Sequence, residues 1–387
     1  MTSRERIIAA LQRKPTDRVP FSGGMGINHP VMLALTEYAG FDNAGPAYEY
    51  VRALSDIKHV GPRYVGPKDR NFTENGVSTD MWGVKRGLVY YAENAAYAEI
   101  CHYPLGEMKT VKELADYVWP TVDWFDFSVL PEQIKNANTP ADDSAWRTDK
   151  LPYARKGPEY AIMMGNGNIF ETSWYMRGFQ DLLTDLLAEP EIAEEILTRV
   201  TNFYVDYFTA ALTVTNKMNG IFPPEAADGC SAPIDLIFTA DDIGQQEGLL
   251  TSLELWEKMI KPHHKRLNNV LHKFGVKIVY HSDGAVMDAL DGLIDMGIDV
   301  LEALQFDAKG MSPDIMKQKY GDRLCFHGGV SVQHTLPYGT PEEVRNETAE
   351  RIRVLGNGGG YILATSHAVQ AGTPVENLVE FLKFGAQ

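Results

Sequence analysis

The fold is decided by the stretch KIVYHSDGAVMDALDGLIDMGIDVLEAL, residues 277–304. It begins with a short apolar run, KIVY, and continues through a helical pattern that has Val286, Leu290 and Leu293 on one face. It ends in a second apolar run, DVLEAL. Two continuous apolar runs joined by an amphipathic helix are typical of parallel strands covered on both faces. The stretch therefore predicts one βαβ unit.

The same alternation of apolar runs and helical patterns extends over most of the chain. Further strands are predicted at Arg18 to Phe21 and in the runs AIMMGNG, DLIFTA, LCFHGG and YILATSH, which gives seven countable strands. Because no G-x-G-x-x-G leads from a strand into a helix, an open Rossmann sheet is the weaker interpretation. We predict an α/β fold whose strands close into a (β/α)8 TIM barrel, with the eighth strand not located.

The N-terminal part departs from this alternation. Thr2 or Ser3 is predicted to cap a first helix, two helical patterns occupy roughly residues 29–58, and residues 75–125 read as an inserted antiparallel excursion. We find no internal repeat, low-complexity tract or Ser/Gly linker. Residues 1–387 are therefore predicted to form a single domain.

Composition and charge exclude several classes of function. The chain has 387 residues, 44% of them hydrophobic and 23% charged, and its 52 acidic and 36 basic residues give a net charge of −16. This charge repels phosphate, so a nucleic-acid partner is not expected. No stretch of about 18 apolar residues occurs and the start, MTSRERIIAALQRK, has no apolar core, so we expect a cytoplasmic protein without a membrane segment.

Cysteine usage limits the kind of metal site. Cys101, Cys230 and Cys325 lie far apart and form no C-x-x-C pair. A disulfide framework and a thiolate zinc ribbon are both excluded on this spacing. Any metal would need nitrogen and oxygen ligands.

Polar side chains follow nearly every predicted strand. In a parallel barrel the carboxyl ends of the strands meet at one mouth, where functional groups collect. Carboxylates and imidazoles gathered there would suit a divalent metal or acid/base chemistry. The residues concerned are Asn166, Asn168, Glu171, Asp241, Asp242, His281, Ser282, Asp283, Glu302, His327, Ser366 and His367.

The sequence His281-Ser282-Asp283 is the sharpest of these signals. Residues at i and i+2 where a strand ends can both turn toward the mouth, and Glu302 and His367 would complete a four-ligand metal set. The alternative is that Asp283 caps the following helix. Asp241 and Asp242 are equally ambiguous: the pair contacts substrate or metal, or one of them caps the turn at Gly244.

Other residues near the mouth leave two interpretations open. Met25, Trp174, Tyr280 and His327 are candidates for substrate contact, although aromatic side chains that enter a helix are more often part of a core. His263 and His264 lie in the middle of a predicted helix and are interpreted as surface or packing residues.

The sequence resembles the uroporphyrinogen decarboxylase superfamily. Within this superfamily it resembles the corrinoid-dependent methyltransferases more than the decarboxylases. This resemblance implies a distorted (β/α)8 barrel. It spans nearly the whole chain and is carried by RERIIAALQRKPTDRVPF, DMWGV, FETSWYMRGFQDLLTDLLAEPE, DDIGQQEGLLTSLELWEKMIKPHHKRL, YHSDGAVMDALDGLIDMGIDVLEALQ and GGVSVQHTLPYGTPEEVRNETAERIRVLGNGGGYILATSHAVQAGTPVENL.

Departures from the family patterns narrow the expected function. The decarboxylases hold their polyanionic substrate with an R-Q-A-G-R motif, and the corresponding region here, FSGGMGINHP, contains no arginine. The thiol-activating methyltransferases bind zinc through H-x-C and a late cysteine. Here Asp283 stands in place of the first cysteine and His367 stands near the second. A harder N/O ligand set favours a Lewis-acidic zinc that polarises an ether oxygen.

The resemblance thus implies a zinc-dependent O-demethylating methyltransferase. It would transfer a methyl group from a small methoxylated, aromatic compound to the Co(I) corrinoid of a partner protein. His281, Asp283, Glu302 and His367 would hold or orient zinc, with His327 as the alternative to His367. Asp242 and Glu171 would orient the substrate. The alternatives are a methylcobalamin:thiol methyltransferase, a metal-free lyase and a non-enzymatic binding protein, and a homodimer is compatible with each.

Overall fold

The computed structural model describes residues 1–92, 95–139, 143–144, 146–153, 159–165, 167–218, 220 and 232–386. The predicted positions Asn166 and Cys230 lie outside these ranges. The α-helices among the described residues are α1 Ser3–Leu11, α2 His29–Ala39, α3 Ala44–Leu54, α4 Val111–Asp116, α5 Leu130–Ala137, α6 Ile169–Arg177, α7 Phe179–Ala188, α8 Pro190–Met218, α9 Leu253–Met259, α10 Lys261–His272, α11 Leu290–Met296, α12 Pro313–Tyr320, α13 Thr335–Tyr338, α14 Pro341–Leu355 and α15 Val375–Gly385.

The strands of the described residues are β1 Ile57–Val60, β2 Arg63–Tyr64, β3 Phe72–Glu74, β4 Val77–Thr79, β5 Lys85–Ala92, β6 Ala95–His102, β7 Phe125–Asp126, β8 Ala161–Gly165, β9 Leu236–Ala240, β10 Gly244–Gln245, β11 Gly248–Leu249, β12 Lys277–His281, β13 Val300–Ala303, β14 Cys325–Val330 and β15 Tyr361–Thr365. Seven of them form one parallel sheet in the order β1-β8-β9-β12-β13-β14-β15.

The segment around Phe21 closes this sheet into a barrel. On one side it pairs with β15, since Leu363 N donates to Pro20 O and Ser22 N donates to Leu363 O, at 2.8 and 2.9 Å. On the other side Asp56 N, just before β1, donates to Phe21 O at 2.8 Å. The predicted TIM barrel is confirmed. The strand that the sequence did not locate is β1, which lies where a helical pattern was expected to continue to residue 58.

Helix α1 covers the end of the barrel opposite the mouth. Thr2 and Glu5 form the predicted capping box at its start. Its apolar face packs on side chains that point into the barrel, so the amino ends of the strands are sealed. This buried cluster comprises Ile7, Ala10, Leu11, Ile57, Ala161, Met163, Leu236, Val279, Val300, Cys325 and Ile362.

The antiparallel sheet begins slightly before the region predicted as an excursion, residues 75–125, and ends well before the C-terminal limit of that region. Strands β3, β4, β5 and β6 form a four-stranded antiparallel sheet over Phe72–His102. After it the chain turns into the short helix α4, because Thr110 and Glu113 form a capping box that favours a helix there. The extent of the single domain, residues 1–387, stays a prediction.

No helix among the described residues is both long enough and apolar enough to cross a membrane.

Candidate metal centre at the barrel mouth

Three of the four predicted metal ligands lie together at the barrel mouth. One ligand atom each from His281, Asp283 and His367 can be chosen so that all lie within 4.8 Å of one another. His367 Nε2 lies 3.7 Å from Asp283 Oδ2, and the two imidazole ring centroids are 5.8 Å apart. Two imidazoles and a carboxylate form a donor set that suits zinc.

The turn after β12 places Asp283 at this cluster. Ser282 N donates to Glu302 O at 2.8 Å, Asp283 N donates to Asp242 Oδ1 at 2.7 Å, and Gly284 follows with a φ of +83°. A Cβ on Gly284 would lie 2.6 Å from Gln245 N, so only glycine fits this turn.

Asp283 does not cap the next helix, which was the alternative interpretation of the sequence. Helix α11 begins only at Leu290, after a short 3-10 helix that starts at Met287. The Oδ1 atom of Asp283 is buried and has no hydrogen-bond partner among the described residues. A buried carboxylate oxygen without a partner needs a ligand, and a cation would supply it.

Glu302 lies behind His281 rather than in the three-residue cluster. Its Oε2 atom hydrogen-bonds His281 Nδ1, and both side chains are buried. Burial opposes protonation of His281, but Glu302, Asp283 and Asp242 outweigh it and raise the pKa of the metal-free imidazole to about 10, so zinc binding at Nε2 would release a proton. Glu302 thus orients the ring and leaves Nε2 toward the mouth, as carboxylates behind metal-bound histidines do. Direct metal contact by Glu302 stays a prediction.

A pocket of about 530 Å³ opens in front of this cluster. It contains Asp242, whose Oδ1 lies 3.7 Å from His281 Nε2. The predicted site residues Met25, Glu171, Asp242 and His367 share this pocket with His281. The mouth pocket, as we call it, is lined by Met25, Gly165, Asn168, Glu171, Tyr175, Phe238, Ala240, Asp242, His281 and His367.

Glu171 is the buried carboxyl group of this pocket. Asn168 Nδ2 donates to its Oε2 at 2.6 Å, and the Tyr175 hydroxyl donates to its Oε1 at 2.9 Å. Burial, helped by the negative charges of Asp241 and Asp242, raises the pKa of Glu171 to about 7. The group can therefore hold or release a proton near neutral pH.

Asp241 positions Glu171, a role that the sequence left open. Its carboxylate accepts hydrogen bonds from Phe170 N and Glu171 N, both at 2.7 Å, and thereby holds the start of α6. His264 hydrogen-bonds the same carboxylate, and both side chains are fully buried. Asp241 thus stabilises the start of α6, while its neighbour Asp242 lines the mouth pocket.

His264 was interpreted as a surface or packing residue, and the structure gives it this specific buried partner. Only the contact between α10 and the end of β9 reveals the pair, because the helical pattern around His264 carries no signal for it. His263 bonds Thr201 and Glu194 instead, at 3.3 Å each.

Three predicted substrate contacts lie outside the mouth pocket. Trp174 packs against Tyr175 and Phe179, with ring centroids 4.2 and 5.3 Å away. Tyr280 is fully buried and its hydroxyl donates to Asp241 O at 3.2 Å. His327 is buried on β14 in register with Glu302, and burial lowers its pKa. Tyr280 lies between the sheet and α10, where its ring contacts His264, whereas Trp174 is a half-buried side chain among aromatic residues of α6 and α7.

Comparison with known proteins agrees with this architecture. A solved structure titled methyltransferase from Methanosarcina mazei superimposes with a TM-score of 0.65 over 100% of this chain and 98% of its own, at 18% identity. That identity supports the fold alone.

Sequence comparison adds two partial similarities. The methylated-thiol–coenzyme M methyltransferase of Methanosarcina mazei is 26% identical over 214 residues, which are 55% of this chain and 50% of the relative. The matched part of the chain thus spans about half the length of that curated relative. Residues 230–386, which contain all four predicted metal ligands, match the family model described as uroporphyrinogen decarboxylase (URO-D). The C-terminal part of the chain is therefore similar to this family over a stretch that is less than half of its length.

Proposed function

We propose that this protein is a zinc-dependent methyltransferase that removes a methyl group from a methoxylated aromatic compound and passes it to the Co(I) corrinoid of a partner protein. The observation that carries the proposal is the cluster of His281, Asp283 and His367 at the barrel mouth, whose ligand atoms lie within 4.8 Å of one another. The relationship to a named methyltransferase supports the class of reaction.

In this proposal His281, Asp283 and His367 hold the zinc ion, and Glu302 orients His281 from behind. Lewis-acid activation of the ether oxygen is the chemistry that zinc supplies when it is bound. Imidazole and carboxylate ligands suit this role because they leave more positive charge on the metal than thiolates do.

Glu171 supplies the proton that the aryl oxygen takes up when it loses its methyl group. Its raised pKa of about 7 lets it carry a proton at neutral pH inside the mouth pocket. As the O–CH3 bond breaks, the methyl group leaves for the Co(I) corrinoid and the bond's electrons stay on the aryl oxygen. That oxygen takes the proton from Glu171, so a phenol leaves in place of a poorer phenolate leaving group. Asp242, beside His281, orients the substrate.

The corrinoid is proposed to belong to a separate partner protein. The mouth pocket is open, so a large planar cofactor carried by another protein could approach it. Cytoplasmic location and a homodimer are part of the same proposal.

A second candidate is methyl transfer that involves a thiol, because the relative with 26% identity is named for a methylated thiol and coenzyme M. Of the cysteines within the described residues, Cys101 is exposed on β6 and Cys325 is buried on β14, and neither joins the cluster of possible metal ligands. The ligands of this cluster are nitrogen and oxygen atoms, which favours the ether over the thiol.

The test uses free cobalamin reduced to Co(I) as the methyl acceptor. The zinc-loaded protein is incubated with methoxylated aromatics or, separately, with methylated thiols, and methylation is followed by the visible absorbance of the corrinoid. We expect methylation from an aryl methyl ether, and loss of it in His281→Ala. Methylation from thiols alone would establish the second candidate, and methylation from neither donor would contradict the proposal.

A further inference from the structure

A second cavity lies between the antiparallel sheet and helices α6 and α8. Its volume is about 330 Å³, and five aromatic side chains contribute to its walls. Such walls suit a flat ring, because aromatic faces and edges pack favourably on one another. The aromatic residues of this side cavity are Tyr64, Trp82, Phe125, Tyr175 and Tyr204.

The side cavity adjoins the mouth pocket. Asn168 and Tyr175 line both spaces. These two residues are also the ones that hydrogen-bond the two carboxyl oxygens of Glu171. A ligand that reaches from one space into the other would therefore pass beside Glu171.

Arg86 on β5 is the cationic side chain of the side cavity. Asp80 accepts hydrogen bonds from Trp82 N and Val84 N, at 2.9 and 3.0 Å, and so is fixed in place. Arg86 Nη1 donates to the other oxygen of this carboxylate at 2.7 Å. The guanidinium also stacks over the ring of Tyr175, 4.9 Å from its centroid.

Two contacts thus fix the guanidinium and leave one edge available. Its Nε and Nη2 groups have no hydrogen-bond partner among the residues that the structure describes. Neither nitrogen is a fully buried atom that lacks a partner, so both are accessible to a ligand. Two parallel N–H groups on one edge of an arginine match the two oxygens of a carboxylate. Stacking on Tyr175 sets the plane in which such an anion would be bound.

We propose that the side cavity binds the ring-bearing part of the substrate and that Arg86 recognises a carboxylate on that ring. The substrate class is then an aromatic carboxylate whose reacting substituent projects past Tyr175 and Glu171 into the mouth pocket. This inference rests on the proposed function, which it deepens. It makes Arg86 and the antiparallel sheet determinants of substrate specificity.

The test compares two probes of similar shape, 4-methoxybenzoate and methoxybenzene, which differ in the carboxylate. Binding to the zinc-free full chain is measured by titration calorimetry, so neither metal nor cobalamin is needed. We expect 4-methoxybenzoate to bind about tenfold or more tightly than methoxybenzene, because only the carboxylate can form charge-assisted hydrogen bonds with Arg86. Arg86→Gln should abolish this difference and leave the binding of methoxybenzene within about twofold.

Two further variants serve as controls. Arg86→Lys keeps the charge but loses the two-pronged edge, and should bind 4-methoxybenzoate more weakly than the wild type. Arg52→Gln removes an exposed arginine that pairs with Glu49 on α3, and should bind both probes as the wild type does. Equal binding of the two probes to the wild type, or an unchanged preference in Arg86→Gln, would overturn the inference.

Failure of the side-cavity assignment can be distinguished from failure of the proposed methyl-transfer reaction. If 4-methoxybenzoate binds through Arg86 but never donates its methyl group to reduced cobalamin, the proposed reaction fails and the assignment of the cavity stands. If both methoxylated probes donate a methyl group equally well, and Arg86→Gln changes neither rate, the reaction stands and the assignment of the cavity fails.

Discussion

Glu302 hydrogen-bonds Nδ1 of His281, and this contact determines which nitrogen of the imidazole faces the mouth of the barrel. The two residues are adjacent in the register of β12 and β13, so the sheet itself brings them together. Burial opposes ionisation of Glu302, but the neighbouring His281 outweighs it and lowers the pKa of this carboxyl. A buried carboxylate behind a histidine is the arrangement that holds metal ligands in orientation.

Replacement of Glu302 by alanine is expected to weaken zinc binding about 10- to 100-fold, the usual cost of losing such a partner. The physical reason is that His281 would lose its fixed orientation while its Nε2 donor atom remains. Competition with a chromogenic chelator measures the affinity. Glu302→Gln, which keeps a hydrogen-bond acceptor without the charge, should lie between wild type and alanine; an unchanged affinity in both variants would contradict the orienting role.

The raised pKa of Glu171 predicts a pH dependence of stability. A carboxyl whose folded-state pKa of about 7 lies above its unfolded value of 4.5 favours unfolding once the pH exceeds the unfolded value. The free energy of unfolding should therefore fall between about pH 4.5 and 7, by about 3 kcal/mol from this group. Urea unfolding of the zinc-free protein at pH 5 and pH 8 measures this loss.

Glu171→Gln mimics the protonated group and should remove most of that loss. The matched control is Glu191→Gln, an exposed position in the first turn of α8, which should retain the pH dependence of the wild type. If Glu171→Gln and wild type lose the same free energy between the two pH values, Glu171 does not have a raised pKa.

Asp241→Ala is expected to destabilise the fold by about 3–5 kcal/mol, because it leaves His264 and two backbone N–H groups of α6 buried without a partner. Urea unfolding measures the change. Asp242→Asn, at the half-exposed neighbouring position, keeps an acceptor for Asp283 N and should cost about 1 kcal/mol or less. Similar losses in both variants would refute the distinct roles of the two aspartates.

The strands and the mouth of the barrel could be predicted because their signals are local. Strands such as β9 and β12 are short continuous apolar runs, and in a parallel barrel the next residue faces the mouth. For this reason the sequence alone predicts that Asp242, His281 and Asp283, which lie at or just after the ends of β9 and β12, are at the mouth of the barrel.

The remaining features depend on contacts between distant segments. The sequence does not reveal strand β1 because the run Ile57–Val60 contains two polar residues, and only two residues separate it from the end of α3. The sequence predicts a strand at Arg18 to Phe21, but the three backbone hydrogen bonds by which this segment closes the barrel leave no pattern in the sequence. Tyr280 adjoins the polar end of β12, but neighbouring side chains on a strand point to opposite faces, so Tyr280 points away from the side that His281 faces.

The most direct test of the account is the zinc content of the purified protein. Elemental analysis of the zinc-repleted wild type should give about one zinc per chain if the cluster is a single mononuclear centre. His281→Ala and Asp283→Asn should each lose this zinc, while His334→Ala, at an exposed histidine away from the cluster, should retain it. A wild type that takes up no zinc, or variants that keep it, would contradict the central claim.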